Sequence, residues 1–242
     1  MEWIRCTLKS DTGRFTVPYS TGYQTYSGLL SLIGETDTQL ADEVHDTSFA
    51  SLTNSGLLGS FDWETNREYR KAIDADSEYE LRVGVTHPDD EAVFNALIKA
   101  LVINDSSLEL ADGSLRVTSV ETKTQTHTEV LSDAVDSSKN GASGVEIQFE
   151  TPTCCNRYGH VWEAHPDRIN LFQSLADRWN ATTTEEQQIA LEDGALGKDL
   201  FTVADTRQYE THSIVVHRRE PKQADSNTGD GNAATIDGDT PQ

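Results

Sequence analysis

Glu78-Tyr-Glu-Leu-Arg-Val-Gly-Val85, continuing through Thr-His-Pro88-Asp-Asp-Glu-Ala-Val-Phe-Asn-Ala-Leu-Ile-Lys-Ala-Leu-Val102, holds a strand and then a helix. Leu81, Val83 and Val85 alternate with polar neighbours, the period of a half-buried strand. From Pro88 the period changes. Proline occupies the first turn, Asp89, Asp90 and Glu91 follow where a helix dipole favours acid, and Val93, Phe94, Leu97, Ile98 and Leu101 recur at helical spacing. Outward from this stretch the same two periods repeat. Trp3 to Leu8 alternates as an opening strand, and Val17-Pro-Tyr19 is extended. Tyr23 to Ile33 places Tyr26, Leu29, Leu30 and Ile33 on one helical face, and Gly34 interrupts it. Thr36 or Asp37 then caps a short helix from Thr38 to Val44, ending near His45. Phe49 to Phe61 reads as a strand, and Leu115 to Glu121 closes the set. Strand, helix, strand, strand, helix, strand is the order of a ferredoxin-like α+β fold. That fold carries many functions and selects none.

The remainder is less regular. Lys123 to Ser143 is polar and reads as a linker with one short ordered turn. Val145 to Phe149 restarts an alternating strand, Pro166 to Trp179 is amphipathic through Ile169, Leu171, Phe172, Leu175 and Trp179, and Ser213 to Arg218 is one more strand. Beyond Pro221, Asp, Gly, Asn, Thr and Ala follow without periodicity, which predicts a disordered tail. The organisation expected is therefore a domain over 1–122, a linker over 123–143, a further unit over 144–219 and a tail over 220–242.

Charge is the strongest compositional signal. Asp+Glu number 41 against 19 Lys+Arg, a formal net charge of −22. In dilute buffer such an excess repels phosphates. Its dispersal along the chain instead fits adaptation to concentrated salt, where at about 1 M the Debye length is only about 3 Å. Recognition of a nucleic acid would then rest on stacking, hydrogen bonding and shape, because counterion release gains little in such salt. The three cysteines, Cys6 with the adjacent Cys154 and Cys155, make no disulfide framework and fit a reducing compartment. Cys154, Cys155, His160 and His165 are chemically able to bind zinc, but the C-x-x-C spacing is missing, so no metal site is assigned. No apolar run reaches the length of a membrane span, and the first residues read as a strand rather than a signal peptide, so a cytoplasmic location is expected. There is no G-x-S-x-G elbow, P-loop or H-E-x-x-H motif.

Three blocks of residues stand out within this pattern. The first is Thr7-Leu-Lys-Ser with Val17-Pro-Tyr19 and Tyr23. The second is Leu40-Ala-Asp-Glu-Val-His45-Asp46. The third runs from Phe149-Glu-Thr-Pro-Thr153 through Gly159 and Pro166 to Phe172-Gln-Ser-Leu-Ala-Asp-Arg-Trp-Asn180. In this order the blocks resemble the pre-crRNA-processing endoribonucleases of the CRISPR-associated RAMP superfamily, a resemblance that implies two tandem ferredoxin-like folds, with a glycine-rich loop near the C-terminus. Here the second fold reads as incomplete, because Gly229, Gly231 and Gly238 lack flanking apolar strands.

The resemblance also implies an activity: cleavage of CRISPR repeat RNA to guide RNAs, without metal or other cofactor, by attack of the ribose 2′-hydroxyl. That chemistry needs a base for the 2′-hydroxyl, an acid for the leaving 5′-oxygen and stabilisation of the phosphorane. His45 is the catalytic candidate, since imidazole titrates near neutrality. Read without the resemblance it is a histidine favoured by a helix C-terminus. Some members carry a tyrosine and a lysine at the places of Leu30 and Ser51, neither of which suits the task. Tyr26, one turn before Leu30 on the same face, is the substitute candidate, with core packing as the plain alternative. Arg67, Arg70 and Lys71 are the RNA-binding candidates, with a solvated basic loop as theirs. The partners implied are CRISPR repeat RNA and other subunits of a CRISPR effector complex. A non-catalytic RNA-binding or scaffolding subunit, or an inactive truncated relative, is the alternative reading.

Overall fold

A computed structural model describes residues 1–46, 52–63, 69–86, 91–103, 107–139, 147–149, 155–157, 161–163 and 168–189. The chain is α+β, and its first half is ferredoxin-like. The central strand β1 (Glu2–Ser10) is flanked by β6 (Tyr79–Val85) and β8 (Gly113–Thr124), antiparallel to both. β3 (Leu52–Leu58) pairs with β6, and β7 (Leu108–Leu110) pairs with β8, giving the order β3-β6-β1-β8-β7. The first four of these are the strands that the sequence order calls for. β7 is an addition, a hairpin partner in front of β8.

One face of this sheet is apolar. Ile4, Cys6 and Leu8 of β1 and Tyr79, Leu81, Val83 and Val85 of β6 are buried beneath the helices, as the period of two requires. Helix α1 (Gly22–Thr36) crosses between β1 and β3, burying Leu29, Leu32 and Ile33, and α3 (Glu91–Ile98) crosses between β6 and β8, burying Val93 and Leu97. α3 runs on into a π-helical turn, Lys99–Ile103, which buries Ala100 and Leu101. The opposite sheet face carries charge. Arg5 there lies 3.3 Å from Glu80 and 3.6 Å from Glu121, across three strands.

Several expectations need correction. Gly34 does not interrupt the helix: α1 continues through it to Thr36, and Asp37 ends it while accepting the Leu40 N–H at 3.1 Å to open α2 (Thr38–Asp46). The basic segment around Arg70 and Lys71 is no loop. It forms β5 (Arg70–Ile73), the middle of a second small sheet with β2 (Phe15–Pro18) and β4 (Asp62–Trp63). Ile147 to Phe149 are irregular rather than a strand.

The expected linker carries a helix, α4 (His127–Lys139), and β8 runs past residue 122 into it. The cause is local. Glu129 accepts the Thr126 N–H at 2.7 Å, and the Thr126 hydroxyl accepts the Glu129 N–H at 3.2 Å. This reciprocal capping box starts a helix that a modest apolar content conceals. Of the expected second fold, the structure describes a hairpin, β9 (Cys155–Arg157) with β10 (Val161–Glu163), and helix α5 (Arg168–Thr182). The expected strand at 213–218 and the tail lie outside the described residues.

Candidate functional site

His45 is exposed in the last turn of α2, while Val44 beside it is buried in the core. The two helices meet where a methyl placed on Gly34 would lie 3.6 Å from the Ala41 methyl, ordinary contact. Ala41 and His45 are one turn apart on α2, and Gly34, Leu30 and Tyr26 are successive turns of α1. From that contact His45 lies one turn along α2, and Tyr26 two turns back along α1. Both Tyr26 and Leu30 pack against the core and are half-buried. Burial pushes the Tyr26 phenol above its ordinary range, which keeps it protonated at neutral pH. A group in that state can donate a hydrogen bond or a proton but cannot serve as a resting base.

The RNA-binding candidates separate. Arg67 lies outside the described residues, as do Ser51, His87, His160, His165, His212 and His217. Arg70 points its guanidinium across the small sheet, bonding the Thr16 hydroxyl at 2.9 Å, the Thr16 carbonyl at 2.7 Å and the Asp112 carboxylate. It ties β5 to β2 and to the turn before β8. Lys71 faces the other way. Paired with Val17, and two residues from Ile73 in β5, it stands on the core side of the sheet, buried. Its ammonium lies 3.6 Å from the Phe61 ring centroid and 5.9 Å from that of Tyr19. Burial lowers its pKa to about 8. Alternation within β5 thus sends two adjacent basic residues to opposite faces.

Two built features were not foreseen. The first is the corner where β2 hands over to α1. Leu57 N–H donates to the Thr21 hydroxyl at 2.7 Å; Asn54 Oδ1 accepts from the Gly56 N–H at 2.8 Å and the Thr25 hydroxyl at 2.6 Å. Gly56 adopts φ 67° in a bulge of β3, and a Cβ there would meet the Thr21 hydroxyl at 2.9 Å. Asn54 and Gly56 were legible as turn-prone residues inside a strand pattern. The second is a clasp between α4 and α5. The His127 ring meets Trp179 edge-on, with centroids 4.9 Å apart, and its Nε2 is 3.2 Å from the Thr182 hydroxyl. Trp179 Nε1 donates to the Gln187 carbonyl at 2.8 Å. In α5 the packing concentrates there; Ile169 and Leu175 of its expected apolar face are exposed.

Among the described residues no group of three His, Cys, Asp or Glu is placed to hold a metal ion, and no helix is long and apolar enough to cross a membrane. Cys6 is a free thiol whose pKa burial pushes up to about 12, which makes it unreactive.

No family model matches the chain, and no curated protein does. Among solved structures it is similar to a Cas6 product complex, at 17% identity over 75% of this chain and 66% of that one, with a TM-score of 0.48. It is also similar to the product of a Cas6-related gene from Pyrococcus furiosus (10% identity, 51% and 48% covered, TM-score 0.41). A third is a RAMP protein described as binding different RNA substrates (13% identity, 52% and 50% covered, TM-score 0.40). The chain spans about half the length of the last two structures.

Proposed function

We propose that this chain is a cytoplasmic endoribonuclease that processes CRISPR repeat RNA by attack of a ribose 2′-hydroxyl on the adjacent phosphorus, expelling the 5′-oxygen. One observation carries the reading. His45, the histidine of the block Leu40-Ala-Asp-Glu-Val-His45-Asp46, is exposed at the end of α2, whereas the other described histidine, His127, is buried. An exposed imidazole on a rigid helix end is able to move a proton to or from a docked RNA. Tyr26, held protonated, is the companion donor to the leaving oxygen or to a non-bridging phosphate oxygen. The proposed organisation is a ferredoxin-like unit over 1–122 carrying this site, with the remainder forming a second unit that completes the RNA surface.

A second reading, an RNA-binding subunit without turnover, is favoured by Leu30. It stands apolar and half-buried where a catalytic tyrosine would be expected. Single-turnover cleavage of repeat RNA in molar KCl with EDTA separates the two. Under the first reading cleavage proceeds with EDTA present, stops when the scissile ribose is 2′-deoxy, and falls by about 100-fold or more in His45→Ala. Activity that depends on a divalent ion sinks that mechanism, and repeat RNA retained intact selects the binding subunit.

A further inference from the structure

The corner between β2 and α1 presents two tyrosine rings that the core does not use. Tyr23, in the first turn of α1, is 83% exposed. Tyr69, just before β5, is 41% exposed and sits at φ 63°, the one non-glycine residue at positive φ among those described. A left-handed conformation costs a tyrosine about 1–2 kcal/mol, a cost that a turn need not carry unless the side chain's direction matters. The backbone holds it there: the Tyr19 N–H donates to the Tyr69 carbonyl at 2.8 Å, and Arg70 is fastened to Thr16 and Asp112 beside it. The backbone that leads into Tyr23 is anchored, with Asn54 donating to the Gly22 carbonyl and Thr21 accepting from the Leu57 N–H beneath the start of the helix. Tyr23 lies four residues from Tyr19, at most about 14 Å of chain, and Tyr19 lies across one backbone hydrogen bond from Tyr69. The two rings are thus within reach of a few unstacked nucleotides.

We propose that Tyr23 and Tyr69 form a stacking site for unpaired bases of single-stranded RNA, deepening the RNA-processing reading on which it rests. Stacking is the attraction that survives this chain's charge. At −22 and in concentrated salt the chain gains little from electrostatic capture of a polyanion, whereas stacking on an aromatic face is little affected by salt. The phosphates between two such bases pass the start of α1, whose first turn carries no acidic residue in an otherwise acid-rich chain. Thr21 turns its hydroxyl to Leu57 instead of capping that helix. The tyrosines give no base identity, so the site is one of affinity and register rather than of sequence reading.

The test is fluorescence anisotropy of the full chain with short labelled oligoadenylate and oligouridylate in molar KCl. Tyr23→Ala and Tyr69→Ala are each expected to weaken binding by about 5- to 100-fold, with Tyr→Phe at either position retaining it. Tyr69→Gly relieves the backbone strain, so it melts no lower than the parent while binding as poorly as Tyr69→Ala. That pairing rules out damaged folding as the cause. If the double Tyr→Ala variant binds within twofold of the parent, the stacking site is wrong and RNA binding stands. If the parent binds neither these oligomers nor repeat RNA, both fall together.

Discussion

The ammonium of Lys71 lies 3.6 Å from the centroid of the Phe61 ring, on the core side of the small sheet. A lysine fills a place where the alternation of β5 asks for an apolar side chain. The ring face returns about 0.5–2 kcal/mol to the cation. Desolvation works against it and prevails, lowering the pKa to about 8.

The consequence for stability has a definite sign. Between about pH 8 and the ordinary lysine value of 10.5 the unfolded chain holds a proton that the folded one has released. The contribution of Lys71 to stability therefore rises through that window, opposed above about pH 9 by the buried Cys6 thiol, whose pKa is pushed up to about 12. The gain is on the order of 1–3 kcal/mol, the ring attraction offsetting part of the desolvation. Denaturant melts of the parent and of Lys71→Met, which keeps the stem and removes the charge, read this as a difference: the variant is more stable near pH 7, and the gap narrows as pH rises from about 8 to 10.5. A gap that stays constant across that window refutes the assignment.

Tyr26 distinguishes chemistry from packing by a single atom. Tyr26→Phe preserves the ring against the core and deletes the hydroxyl. The cleavage rate is expected to fall by about 10-fold or more, with RNA affinity unchanged and the melting temperature within a degree or two of the parent's. Unchanged cleavage in a folded Tyr26→Phe protein would assign the residue to the core alone.

Acid should loosen the clasp between α4 and α5. Thr182 shares its hydroxyl proton between the Arg178 and Trp179 carbonyls, so its oxygen accepts from the His127 Nε2–H, a bond that the neutral and the charged ring both make. Burial, then the nearby N-terminal ammonium, holds the His127 pKa below 6.5. A histidine depressed in this way stabilises the fold above its unfolded pKa, and that stability declines as pH falls from about 6.5 through the folded value. Tryptophan fluorescence during denaturant titrations between pH 7.5 and 5 reads this through Trp179. His127→Gln should remove most of the slope. An equal slope in the variant would place the acid sensitivity elsewhere.

Much of the first half was legible because its signals are local and periodic. Ile4, Cys6 and Leu8 in β1 and Leu81, Val83 and Val85 in β6 each mark a buried face every second residue. Val93 and Leu97 mark α3 as plainly. What stayed illegible has weak periodicity or depends on distant partners. α4 is announced by four residues, Thr126 to Glu129, whose capping box is easily missed beside a polar surface. β5 is short, and two adjacent cations conceal it. Gly34 reads as a helix break because glycine commonly punctuates a helix, and no local signal announces that α1 continues through it to Thr36.

The candidate site divides along the same line. The candidacy of His45 rests on the resemblance of its block, and Tyr26 enters because it carries a hydroxyl one helical turn from Leu30, a local property of the chain. Whether a side chain faces water is decided by what folds over it. Only the tertiary structure exposed His45 while burying Val44 beside it, and only it turned Lys71 into the core while tying Arg70 to Asp112. The basic cluster that a linear reading treats as one surface is divided because neighbouring residues in a strand point to opposite faces. Tyr23 and Tyr69, far apart in the chain, share a corner because β2 and β5 pair. Strand pairing is a long-range relation, and no local pattern in the sequence specifies it.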